Sequence, residues 1–316
     1  MTVSETQGVR TETLASVPAP RRLRRHRHNR AALFFLAPWL IGLFGLTVGP
    51  TAVSLLYSFT DFDFLNAPQW IGADNYARML HDDRFLRSLA NTVAYVGLSV
   101  PLRLAVALGV AILLKKAVRG VGVYRAAFYL PSLLGGSVAV AVLWRHMFGG
   151  DGLVNQLLAL IGIDGPAWVS SPEYALGTLI LLAAWQFGSP MLIFLAGLQQ
   201  IPQDLYEAAE IDGANRRTRF WRITLPLLTP VVLFNLVMQM VTAFQSFTPS
   251  FVISNGTGGP LDATLLYTLY LYQRAFVHFE MGYASAMAWV LLVIIAAMTV
   301  LVFRSARSWV FYGDER

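Results

Sequence analysis

Few residues in this 316-residue chain are placed to do chemistry. There is no cysteine, which excludes thiolate nucleophiles, thiolate metal sites and disulfides. The five histidines, His26, His28, His81, His146 and His278, are scattered and gather no set of neighbouring carboxylates, so hydrolysis by a metal or an acid–base pair has no carrier. No glycine-rich phosphate loop ending in Lys-Ser or Lys-Thr occurs, so the chain is not expected to hydrolyse ATP. Three features remain. One is a polar stretch from Ile201 to Pro226. The second is a row of amides and hydroxyls at Asn235, Gln239, Thr242, Gln245 and Ser246. The third is one arginine, Arg103, inside an apolar run.

The polar stretch has the marks of two short helices. Pro202 suits a first helical turn. Asp204, Glu207 and Glu210 follow, at the end where the helix dipole favours negative charge. Leu205, Ala208 and Ala209 fall near one face at helical spacing. Gly213 suits the left-handed residue that ends a helix. A second helix starting between Asn215 and Thr218 would carry Arg216, Arg217, Arg219 and Arg222, and Pro226 would open the next apolar run. Small alanines beside a glycine elbow allow another protein to approach closely. The same residues, read alone, also fit an interfacial connector without a partner.

The row at Asn235, Gln239, Thr242 and Ser246 has spacings of four, three and four, which place it on one helix face; Gln245 lies beside it. Lipid penalises such a face, so it should line protein or water. It reads either as contacts for a hydroxyl-rich solute or as a helix–helix hydrogen-bond seam. Asn235 fits the seam better, and Gln239, Gln245 and Ser246 fit a path. Trp185 and Gln186 are further candidates for the path, Trp185 being equally suited to packing. Arg103 lies about 18 Å along a helix from Lys115, too far for its side chain to reach the interface. Either it faces a wet cavity or an acceptor on another subunit, or the helix breaks at Pro101 and Arg103 lies shallower.

These features must be positioned by membrane-spanning helices. The chain is 56% hydrophobic and 13% charged, against about 25% charged in soluble domains. Six apolar runs are long enough to cross a bilayer: within Ala31 to Phe59, then Asn91 to Leu114, Ala126 to Phe148, Tyr174 to Gln199, Pro226 to Phe251 and Met281 to Phe303. Lipid leaves helix as the only option for runs this long. None contains Asp or Glu, which argues against a self-powered, ion-coupled carrier. Eighteen Lys and Arg residues fall on the side of the N-terminal tail, the 115–125 and 216–222 connections and the C-terminal tail; five (Arg78, Arg84, Arg87, Arg145 and Arg274) fall on the other. Positive-inside bias then places both termini in the cytoplasm. The net charge of +6 reflects this topology, and no nucleic-acid partner is expected. Residues 1–30 read as a basic tail, disordered over Met1 to Pro20. The long apolar run after it lacks a small-residue cleavage pattern, so it reads as a span and not a leader.

The 201–226 stretch resembles the EAA loop of ABC importer permeases, whose pattern is EAA, three residues, G, nine residues, I-x-L-P. Here it is Glu207-Ala208-Ala209, Gly213, Ile223, Leu225 and Pro226, and Asp212 and Ala214 extend it to the DGA form of sugar-type members. Trp70-Ile71-Gly72, Asn75-Tyr76, Asn91-Thr92, Ala196-Gly197-Leu198, Gly258-Gly259-Pro260 and Gly282-Tyr283-Ala284-Ser285-Ala286 are similar to other segments of that sugar-type (maltose/glycerol-phosphate-like) group. The large outer domain of the maltose-type member has no room between Gly149 and Pro172.

The resemblance implies an all-α integral membrane protein of the ABC importer permease fold. It would have six transmembrane helices and both termini cytoplasmic: tail 1–30, first span and outer loop 31–90, core 91–305 with coupling loop 201–226, and tail 306–316. It implies that Glu207, Ala208, Ala209, Asp212 and Gly213 couple to a cytoplasmic ABC ATPase dimer, which would hold ATP and Mg; this chain would carry no cofactor and no metal. A second permease, usually a different chain, would pair around a path for which Arg103, Trp185, Gln239, Thr242, Gln245 and Ser246 are the candidates. A solute-binding protein outside would deliver a sugar or similar solute across the bacterial cytoplasmic membrane. The competing reading is a stand-alone secondary carrier or channel.

Overall fold

A computed structural model describes residues 26–115 and 120–311, all of it helix, turn and loop apart from one isolated bridge, Thr60 to Trp70. The tail before residue 26, Lys116, Arg119 and Arg316 lie outside the described residues, and with them the expectation of a disordered terminus. The chain divides between Ala52 and Val53 into two units. Helix α1 (His26–Gly42), a π-helical turn (Leu43–Val48) and α2 (Gly49–Tyr57) follow in series. From Phe34 to Tyr57 they form an apolar segment of mean hydropathy 1.7.

In the second unit, α3 (Asp74–Met79) leads into α4 (Asp83–Lys115), a 33-residue helix about 50 Å long at 1.5 Å per residue. After it come α5 (Val121–Leu134), α6 (Val138–Met147), α7 (Leu153–Ala159), α8 (Pro172–Trp185) and α9 (Gly188–Gln200). Then follow α10 (Gln203–Ile211), α11 (Arg216–Arg219), α12 (Leu225–Phe244), α13 (Thr248–Ile253), α14 (Tyr267–Tyr272) and α15 (Met281–Trp309). Helix α4 is the centre of the bundle. It packs against α8, α9, α12 and α14, and its buried stripe Val96, Val100, Leu104, Ala107, Ala111 and Leu114 keeps the three-and-four spacing that turns one face inward.

Four helices are long and apolar enough to cross a membrane, and two bent pairs would raise the number to six. The runs read from the sequence are not all straight. The third run bends by 96° between α5 and α6, and the fourth by 43° between α8 and α9. The fifth ends at Phe244, with Gln245 to Phe247 outside helix before α13. Pro226 stands in the first turn of α12, where it was expected to open the fifth run, and a π-helical turn at Phe220–Thr224 just before it joins α11 and α12 into one 29-residue helical stretch from Arg216 to Phe244. Such a turn relieves the clash of a proline ring with the preceding turn. The break considered at Pro101 is absent, since α4 runs through it.

The two bent runs meet at Gly188, where an added Cβ would lie 2.6 Å from the Phe128 carbonyl oxygen and 2.7 Å from the Tyr129 Cα. Small residues are what allow helix backbones to approach this closely. Gly188→Ala is expected to destabilise the helical bundle by about 1–3 kcal/mol, the usual range for overpacking, with α5 forced away from α9. The thermal unfolding midpoint in nanodiscs measures this, and an unchanged midpoint would refute the tight contact.

Candidate functional site

At one end of the bundle, α10 and α11 meet at a four-residue elbow, Asp212 to Asn215. The Ala214 N–H donates to the Ala209 carbonyl at 2.8 Å and the Gly213 N–H to that of Glu210 at 3.0 Å, the paired closure that ends a helix on a left-handed residue. Gly213 has φ of +76°, so the backbone itself demands glycine there. Asn215 then caps the next helix, its Oδ1 accepting from the Thr218 N–H at 2.8 Å. Arg219 braces the pair from the far side, its Nη1 2.9 Å from Glu210 Oε2. The elbow is tied back to α4 through Tyr206, whose ring lies 4.5 Å under Lys115 Nζ and whose hydroxyl is 2.9 Å from Thr224 Oγ1. Beneath the elbow is an open hollow of about 600 Å³ bordered by Ala209, Gly213, Asn215 and Arg222. Glu207, Ala208, Asp212 and Gly213 are exposed, and Ala209 is half-buried.

Further along the bundle, three helix breaks converge. Gly136 from the α5–α6 break, Gln186 from the α8–α9 break and Gln245 to Pro249 from the α12–α13 break border one cavity of about 170 Å³, together with Tyr95 and Arg103 of α4. The breaks free backbone groups, and polar side chains satisfy them. Ser132 Oγ donates to the Gln186 carbonyl at 2.9 Å and accepts from the Ser189 N–H at 3.0 Å, while Gln186 Nε2 donates to the Gly135 carbonyl at 2.9 Å. Arg103 is 9% exposed. Its Nε donates to the Ala183 carbonyl at 2.6 Å and its Nη1 to Gln239 Oε1 at 2.6 Å.

The candidates read from the sequence are therefore sorted by the tertiary structure. Arg103, Thr242, Gln245 and Ser246 border the cavity, and Gln239 reaches it through Arg103. Trp185 does not border it; its ring lies 5.8 Å from that of Trp144. Asn235 is fully buried and its amide finds no hydrogen-bond partner among the described residues, so the seam expected there is not formed.

Residues 71–309 match the family described as the inner membrane component of binding-protein-dependent transport systems. The chain belongs to this family. The probable ABC transporter permease protein YesP of Bacillus subtilis (strain 168) is 54% identical over 291 residues, 92% of this chain and 94% of that protein. The lactose transport system permease protein LacF of Rhizobium radiobacter is 34% identical, covering 75% and 81% of the two chains. Among solved structures, a chain of a bacterial ABC transporter involved in import of the acidic polysaccharide alginate superposes with a TM-score of 0.73 at 21% identity, over 89% of this chain and 96% of that one. The fold is that of an ABC importer permease, and the protein is a multi-pass membrane transport subunit.

Sequence reasoning missed two parts of this permease. The first is Ile211, the last residue of α10, which is 88% exposed between Glu210 and Asp212. An isoleucine flanked by acids at the end of a polar helix was the available signal. The second is a network at the other end of α4. Asp82 caps that helix, its Oδ1 accepting from the Arg84 and Phe85 N–H groups at 3.1 and 3.2 Å. Its Oδ2 accepts from the Tyr270 hydroxyl at 2.6 Å, the Tyr283 hydroxyl at 2.9 Å and Arg274 Nη2 at 3.2 Å. Arg274 also meets Glu280 at 3.2 Å, and Glu280 meets Arg78 at 2.9 Å. Burial pushes the Asp82 carboxyl up, but the two tyrosine hydroxyls, the Phe85 N–H and the Arg274 charge outweigh it and hold the group below the usual carboxylate value. Among the described residues there is no group of three or more side chains able to hold a metal ion.

Proposed function

We propose that this permease is the membrane subunit of an ATP-driven, binding-protein-dependent importer that moves a sugar or oligosaccharide across the bacterial cytoplasmic membrane. The observation that carries the reading is the elbow: a short helix closed on a left-handed glycine, with Ala208 and Ile211 facing outward. Such a feature serves as a rigid handle. In this reading a cytoplasmic ATPase grips α10 through Glu207, Ala208, Ala209 and Asp212, with Gly213 setting its angle. The ATPase dimer would hold ATP and Mg, and each nucleotide-driven closure would bias the permease between two global states.

A second permease chain completes the path, and a solute-binding protein delivers cargo on the opposite face. Relatives that are permeases of lactose and sn-glycerol-3-phosphate transport systems support a sugar-like cargo. Counting each bent pair as one crossing gives six spans, and the charge bias then sets both termini in the cytoplasm. The division of residues into a tail to 30, a first span and outer loop to 90, a core to 305 and a short C-terminal tail follows from that topology.

The test is uptake by the importer reconstituted with its ATPase, partner permease and binding protein. Gly213→Val is expected to lower uptake about tenfold while the complex still assembles. An added Cβ would meet nothing within 4 Å, so the cost, roughly 1–2 kcal/mol, is that of forcing a branched residue into the left-handed region. Undiminished uptake by this variant would remove the elbow assignment. Solute movement by the purified chain with no ATPase present would replace the importer with a stand-alone carrier.

A further inference from the structure

We propose that Arg103 is a specificity-determining residue that binds an anionic group, such as a uronate carboxylate, on the solute passing through the cavity at the three helix breaks. The inference rests on the importer reading and adds the chemical class of the cargo.

The guanidinium is charged at any physiological pH and offers five N–H donors in a planar fork. Its two hydrogen bonds go to neutral oxygens, the Ala183 carbonyl in the last turn of α8 and the amide of Gln239. Those acceptors hold the side chain in place and offset part of its charge, since the C-terminal end of a helix is its negative end. They do not neutralise it. Among the described residues the ion pairs all lie elsewhere, and none includes Arg103.

Nη2 donates to no acceptor among the described residues, yet it is not sealed into apolar packing. Arg103 borders the 170 Å³ cavity, whose other polar walls are Tyr95, Gln186, Thr242, Gln245, Ser246 and Thr248. These are neutral donors and acceptors suited to sugar hydroxyls. A cation held this deep by neutral groups is costly unless a counter-charge visits it. An arginine fork recognises carboxylate or phosphate by paired, charge-assisted hydrogen bonds, which a neutral hydroxymethyl group cannot replace.

The experiment uses the complete permease–ATPase complex in nanodiscs, without binding protein. Its thermal midpoint is followed during titration with glucose, glucuronate and glucose 6-phosphate. The wild-type complex should respond to one of the anionic sugars at concentrations about 10- to 100-fold below glucose, the range for a charge-assisted hydrogen bond to a buried site. Response to glucuronate or to the phosphate ester identifies which oxyanion fits. Arg103→Gln should abolish the preference for the anion, and Arg103→Lys should restore part of it. A purely structural arginine would lower stability in Arg103→Gln with no change in that preference. A wild-type complex that does not distinguish anionic from neutral sugars overturns the inference, whether or not the variant folds, and leaves the importer reading intact. A complex that takes up no sugar with any binding protein sinks the importer reading itself.

Discussion

Ile211→Asp is expected to strip the ATPase from the permease, weakening the association at least 100-fold. At 88% exposed, Ile211 makes almost no contact within the chain, so its replacement leaves the fold unchanged. Its value lies in burial against a partner. Covering an isoleucine side chain contributes about 1.5–3 kcal/mol, which is a factor of roughly 10 to 150 in affinity. An aspartate at the same point loses that gain and adds the desolvation of a charge. Ile211→Leu, which keeps the apolar volume, should retain association. Titrating the isolated ATPase onto nanodisc-embedded permease measures the effect. Equal affinity of the wild type and Ile211→Asp would mean that this face of α10 is not gripped.

The second large effect is expected at the opposite end of α4. Asp82→Asn should destabilise the permease by about 2–3 kcal/mol, the cost of losing charge-assisted hydrogen bonds at a half-buried carboxylate. Five donors converge on this carboxylate, and its side chain is 11% exposed. The asparagine amide keeps one acceptor oxygen and turns its nitrogen toward groups that themselves donate. The pH dependence has a definite sign. The folded carboxyl titrates below its ordinary value of 3.8, so its contribution is fully present above about pH 4 and is lost as pH falls through the lower folded value. Unfolding midpoints at pH 7, 5 and 3.5 should therefore drop steeply in the acid range for the wild type. The drop should be shallower for Asp82→Asn. A variant as stable as the wild type at pH 7 would show that the network carries no net stability.

The loop at 201–226 was legible because its features are local. Pro202, the acids that follow it and Gly213 act on their own backbone within a few residues, and each acts the same way wherever the loop sits. The apolar runs were legible for a similar reason: each satisfies its backbone internally, whatever its neighbours. Arg103 was legible as an anomaly, but its partners were not. Ala183 and Gln239 lie 80 and 136 residues away, and one of them offers only a carbonyl, which every residue has. The Asp82 network was invisible for the same reason, joining positions separated by up to 201 residues.

Composition and local pattern alone determined that this chain is an all-helical membrane protein and that two short helices joined at a glycine lie between its fourth and fifth apolar runs. Tertiary structure alone decided where those runs break and what the breaks surround. At the bend from Gly135 to Ser137, Gln186 from another bent segment hydrogen-bonds the backbone carbonyl left free there. The cavity beside Arg103 is a product of long-range packing, which no single segment encodes.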